Sequence, residues 1–122
     1  MSSPDTKHLV ERSIGEFQKL VPALVKLKLV AELELRGRGD VQVFRVRTPG
    51  PEIKKEDPQD ARLDVSIPRS DFNRLAEEGT MKDWRRAVEE GHIKVGGDRQ
   101  VQRLIAEVVN RHDQRARTRK VH

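Results

Sequence analysis

The hydrophobic positions of this chain switch between helical spacing and strict alternation, and each switch marks a new element. Across residues 6–27, Val10, Ile14, Phe17, Leu20, Val21 and Leu24 recur at helical spacing, and Pro22 bends or divides the segment. Leu29, Ala31, Leu33 and Leu35 then alternate with Val30, Glu32, Glu34 and Arg36. That period predicts a strand, although Leu, Glu and Ala are good helix formers. Gly37, Gly39 and Asp40 form a turn of the kind that joins antiparallel strands, so residues 41–48 should pair back along 29–36. On that second strand Val41 and Val43 fall on one face and Phe44 and Val46 on the other, which implies a bulge or partial burial on both sides. Pro49-Gly50-Pro51 makes a hard turn, and residues 52–57 form at most a short charged edge strand before Pro58.

Residues 61–109 continue with almost no linker. Leu63, Val65 and Ile67 alternate with Arg62, Asp64 and Ser66 in a strand that Pro68 stops. Ser70 and Asp71 are candidate caps for a short helix carrying Phe72, Leu75 and Ala76, and Gly79 suits a left-handed end. Thr80 with Asp83 resembles a capping box for the next helix, where Trp84, Ala87 and Val88 make the apolar stripe and Gly91 ends it. Ile93 and Val95 share one face of a short strand, with His92 and Lys94 on the other. Asp98 is a good N-cap for a final helix in which Val101, Leu104, Ile105 and Val108 line one side. This order describes an α+β layer, a small, mostly antiparallel sheet with helices packed on one face.

Composition narrows the function classes. No 18-residue apolar stretch exists, and the polar start Met-Ser-Ser-Pro-Asp lacks the apolar core of a signal peptide, so a cytoplasmic location is expected. Zero cysteines remove disulfides, thiolate catalysis and cysteine-ligated metals. With 34% apolar and 37% charged residues, three Phe and one Trp, the core is lean, and a roomy or ligand-filled interior becomes plausible. Residues 1–110, read as a single domain, hold 20 Lys or Arg against 19 Asp or Glu. Residues 111–122 add five basic residues and one Asp, a basic tail expected to be disordered. A balanced body without Tyr argues against a nucleic-acid-binding fold, while the tail could touch RNA or an anionic membrane.

Taken together, Ala61 to Ile67, Asp71-Phe72 with Leu75, Gly79, Trp84 with Ala87, and Gly91-His-Ile-Lys-Val-Gly-Gly-Asp before an apolar helix resemble the sterol carrier protein 2 family of nonspecific lipid-transfer domains. That family reads as an aspartate-containing strand, a short helix ending in glycine, a second helix, a glycine-flanked apolar strand with Asp, and a last helix. The resemblance implies a five-stranded sheet covered by helices. It also implies an apolar tunnel that holds fatty acyl chains, acyl-CoA, sterols or other lipids, with no cofactor and no catalysis. Two places depart from the pattern. The Pro49-Gly50-Pro51 turn and charged residues 52–56 replace a more apolar third strand, and the tail after Asn110 is basic where an apolar segment often closes the tunnel.

A cavity between sheet and helices would be lined by Leu33, Leu35, Val43 and Val65, with Leu63 and Ile67 on the same inner face. From the helix stripes would come Phe17, Phe72, Leu75, Trp84, Val88, Leu104, Ile105 and Val108. The same residues are what an ordinary packed core requires. Catalysis has little support. His8, His92, His112 and His122 are scattered with no metal-binding spacing, and His92, the interior one, reads as exposed or bonded to a neighbour. Gly96-Gly97-Asp98 lacks the dinucleotide spacing, and the pairs Glu77-Glu78 and Glu89-Glu90 read as solvated faces. Two readings follow: a carrier of a hydrophobic small molecule or lipid, and an interaction module whose basic tail binds RNA or a protein partner. Confinement of the excess charge to the tail favours the carrier.

Overall fold

Pro22 ends the first helix and opens another. In the computed structural model, which describes residues 3–121, helix α1 spans Ser3–Leu20 and a separate 3-10 helix spans Pro22–Lys26 with the proline in its first turn. Within α1 the buried Ser13 hydroxyl donates to the Leu9 carbonyl at 2.9 Å, so the polar atom inside the apolar stripe is satisfied.

Strands β1 (Leu29–Arg36) and β2 (Val41–Thr48) form the expected hairpin, closed by the Gly37 amide on the Asp40 carbonyl and by Gly39 at φ 78°. Their register runs without interruption from Leu29 opposite Thr48 to Arg36 opposite Val41, so β2 carries no bulge. Strand β3 (Glu52–Lys54) edges β2, and the Ile53 within it is buried. Strand β4 (Leu63–Pro68) lies parallel to β1, and β5 (Lys94–Gly97) antiparallel to β4. The sheet order is β3-β2-β1-β4-β5, mostly antiparallel with one parallel pair at its centre.

Helix α2 (Arg69–Glu78) starts directly from β4, with Pro68 as its N-cap and no capping side chain. Ser70 and Asp71 therefore lie inside its first turn instead of capping it. Gly79 corrects a second expectation. It is extended (φ −74°) and not left-handed, and its lack of a side chain matters for space, because a Cβ would stand 2.5 Å from the Leu75 carbonyl oxygen. Helix α3 (Met81–Glu89) has the reciprocal capping box: the Asp83 amide donates to Thr80 Oγ1 and the Thr80 amide to Asp83 Oδ2. Gly91, at φ 82°, supplies the left-handed exit.

Asp98 caps α4 (Arg99–Val121), accepting from the Gln100 amide at 2.8 Å. The Arg62 guanidinium donates to the same carboxylate at 2.6 Å; this bond and the amide contacts hold the Asp98 carboxyl below the usual carboxylate range. Helix α4 runs to Val121, and Asp113 within it pairs with Arg85 of α3.

The core lies between one sheet face and the helices. Val10 of α1, Phe72 and Leu75 of α2 and Ala87 of α3 cover Leu35, Phe44, Val46, Ile53 and Ile67. The outer face carries Glu32, Glu34, Arg36, Arg45 and Lys94. On it Glu32 stands opposite Asp64 of β4, and burial together with the Asp57 and Asp64 carboxylates pushes its carboxyl up. No described helix is long and apolar enough to cross a membrane.

Candidate functional site

Register places the inner-face side chains in transverse rows, and the rows differ in exposure. Leu35 and Ile67, paired across β1 and β4, are fully buried. The adjacent row runs Phe44, Leu33, Val65, Val95 across β2, β1, β4 and β5. Phe44 is fully buried, Leu33 and Val65 are half-buried, and Val95 is 41% exposed. Leu33 and Val65 pack against the core but keep part of their surface accessible, and exposure rises along the row toward Val95.

An aromatic cluster stands on the helix side. Trp84 of α3 meets Phe17 of α1 at 5.0 Å between ring centroids and Phe72 of α2 at 6.1 Å, both edge-on. The Trp84 ring, half-buried, packs against the core together with Leu33 and Val65. One turn further along α3, Val88 is 45% exposed, and Leu104 of α4 is equally so. Ile105 and Val108 are half-buried.

The residues expected to line a cavity thus divide. Phe17, Leu33, Val65, Trp84, Ile105 and Val108 are partly buried, and Val88 and Leu104 are open to solvent. Leu35, Phe72 and Leu75 are buried core. Val43 is misplaced in the sequence reading. It pairs with Glu34 on the outer face, and Phe44 takes the inner position, because the hairpin register keeps strict alternation through β2. Val95 was not among the expected lining residues, yet it ends the half-open row; its alternation with Ile93 was the available signal. Ile53, also outside the expected lining, is buried at the centre of β3, and the alternation Glu52-Ile53-Lys54 is its signal in the charged segment.

The row has no charged side chain, so its chemistry is dispersion and removal of apolar surface from water. His92 lies between α3 and β5, exposed, 3.6 Å from Glu90 and 3.9 Å from Asp71. Among the described residues no group of three or more acidic, histidine or cysteine side chains could hold a metal ion.

No family model and no curated protein matches the sequence. Solved structures do match the fold. The palmitated sterol carrier protein 2-like 2 protein of Aedes aegypti, in solution, superposes with a TM-score of 0.64 at 18% identity, over 89% of this chain and 95% of that one. The crystal structure of the Aedes aegypti sterol carrier protein 2-like 2 gives 0.57 at 20% identity, over 84% and 98%. A ubiquinone synthesis protein, UbiJ-SCP2, gives 0.53 at 18% identity, over 93% and 96%. The chain therefore has the fold of a sterol carrier protein 2 domain, as the resemblance in residues 61–109 implied.

Proposed function

We propose that this protein binds or carries a hydrophobic ligand with a fatty acyl chain, without catalysing a reaction on it. The observation that carries this reading is the half-open row Leu33-Val65-Val95 on the inner sheet face. An acyl chain laid along it removes apolar surface from water on both sides, at about 25 cal/mol per Å² buried. Phe17 and Trp84 supply an aromatic wall, and Val88, Leu104, Ile105 and Val108 supply the outer rim. Leu35, Phe72 and Leu75 form the packed base that keeps this shape. Support comes also from the palmitated state of the similarly folded Aedes aegypti protein. A cytoplasmic site of action fits the same reading.

The test is native mass spectrometry of the purified protein with a thermal-shift series in palmitate and palmitoyl-CoA. A bound ligand raises stability by RT ln(1 + [L]/Kd), about 2.7 kcal/mol at a hundredfold excess over Kd. Leu33→Trp fills the row and should abolish the shift while leaving the protein folded. No co-purified lipid and no shift with either ligand would sink the carrier reading.

A further inference from the structure

We propose that the end of the sheet at the β1-β2 turn is an oxyanion site that takes a phosphate group. Among the described residues four side chains carry a buried polar atom with no hydrogen-bond partner, and three of them, Arg36, Gln42 and Arg69, stand at this one end. The register brings them there. Arg36 closes β1 opposite Val41 and Pro68, Gln42 is the partner of Leu35, and Arg69 follows Pro68 directly. The Arg69 guanidinium lies in the space that Gly37 leaves open, since a Cβ there would stand 2.6 Å from its Nη1. Arg69 Nη2 donates to Asp40 at 2.8 Å, which fixes the guanidinium and leaves its Nε–H buried and unpartnered.

Charge points the same way. Four arginines among the described residues are half-buried. Arg45 pairs with Asp60, Arg69 with Asp40 and Arg85 with Asp113, whereas Arg36 pairs with none. Glu34, two residues before it on the same face, accepts from the Ser66 hydroxyl at 2.8 Å instead. A guanidinium taken partly out of water calls for a counter-ion, because its desolvation is otherwise uncompensated. Arg38 on the turn is exposed and without an ion pair, so three guanidinium groups, of Arg36, Arg38 and Arg69, share one carboxylate, Asp40. Helix α2 begins at the same end with no capping side chain and adds the positive end of its dipole, while Asp71, the acid of its first turn, pairs with Arg74 at 3.2 Å. Two Nε–H donors require an acceptor, and Gln42 Oε1 requires a donor. Hydrogen phosphate or a singly protonated phosphate monoester supplies both, and sulfate lacks the proton. A water would satisfy the polar atoms and leave the charge of Arg36 unbalanced.

The palmitate thermal shift has no bearing on this site, which stands or falls apart from the carrier reading. The experiment follows the arginine Nε–H resonances of the full chain by NMR in chloride buffer as inorganic phosphate, methyl phosphate or sulfate is added, with calorimetry giving the dissociation constants. Arg36 and Arg69 should shift together and saturate with phosphate, and sulfate should bind more weakly. Saturation with inorganic phosphate alone marks a site for the free ion, and saturation with methyl phosphate as well marks one open to a phosphorylated small molecule. Arg36→Gln should weaken phosphate binding about tenfold to a hundredfold, the loss of one charge-assisted hydrogen bond. In phosphate-free buffer the same variant should melt no lower than the parent, since it removes an uncompensated charge. Arg47→Gln, an exposed arginine at the other end of β2, should leave phosphate binding unchanged. Arg36 and Arg47 responding alike to phosphate, sulfate binding as tightly as phosphate, or phosphate affinity unchanged in Arg36→Gln overturns the proposal. So does a lower melting temperature of Arg36→Gln in phosphate-free buffer, the result expected if water or the fold itself already satisfies that guanidinium.

Discussion

Leu35 and Leu33 stand two residues apart on the same face of the same strand, yet the first is fully buried and the second half-open. Their cross-strand partners repeat the contrast, with Ile67 buried beside Leu35 and Val65 partly exposed beside Leu33. Side-chain chemistry is the same in both rows, so what differs is the roof. Helix α2 leaves β4 at Pro68 with no connecting loop and lies on β1 and β4, setting Phe72 and Leu75 in the core. Toward β5 exposure increases, with Val95 on the strand, Val88 on α3 and Leu104 on α4 all open to solvent. The sealed row holds the fold together, and the partly exposed row is the one that the proposed function assigns to a ligand.

The contrast breaks most sharply under truncation. Leu35→Ala should cost about 2–5 kcal/mol in urea unfolding, since it leaves a cavity in packed core. Leu33→Ala should cost less, about 1–2 kcal/mol, because part of its surface is already wet; palmitate affinity should fall for Leu33→Ala and stay level for folded Leu35→Ala. Equal stability losses at the two sites would show that the rows do not differ.

Across the sheet, the contrast is between apolar burial and charge. Glu32 has a raised carboxyl in the folded state, so its ionised form opposes folding. That penalty is absent below the unfolded value of roughly 4.3 and grows as pH rises through the raised folded value. Glu32→Gln should therefore stabilise the protein at neutral pH by about 0.2–1 kcal/mol, the range for like charges placed opposite one another, with the gain disappearing in acid. Melting curves at neutral and acid pH read this directly, and a gain that persists in acid would point to a cause other than charge. The smallest stability effect belongs to the rim. Leu104→Asp should move unfolding by no more than about 0.5 kcal/mol, as surface substitutions do, while weakening palmitate binding.

Much of this architecture was legible because its signals are local. Alternation located β1 and β4, the turn at Gly37, Gly39 and Asp40 located β2, Thr80 and Asp83 announced their capping box, Pro22 divided the first helix, and Asp98 marked the start of α4. Where local signals compete, pattern alone does not place the element boundary. Ser70 and Asp71 looked like caps, but α2 begins earlier, at Arg69, and Gly79 is required for space and not for a left-handed turn.

The sequence by itself determined which residues alternate, which recur at helical spacing and where charge accumulates, since each depends on neighbours a few positions away. Only the tertiary structure decided that β4 would lie parallel to β1, that Phe44 and not Val43 would face the helices, and that the row ending in Val95 would stay half-open. Strand order, register and the reach of a helix over a sheet arise from contacts between residues far apart in the chain, and no periodicity within one segment encodes them.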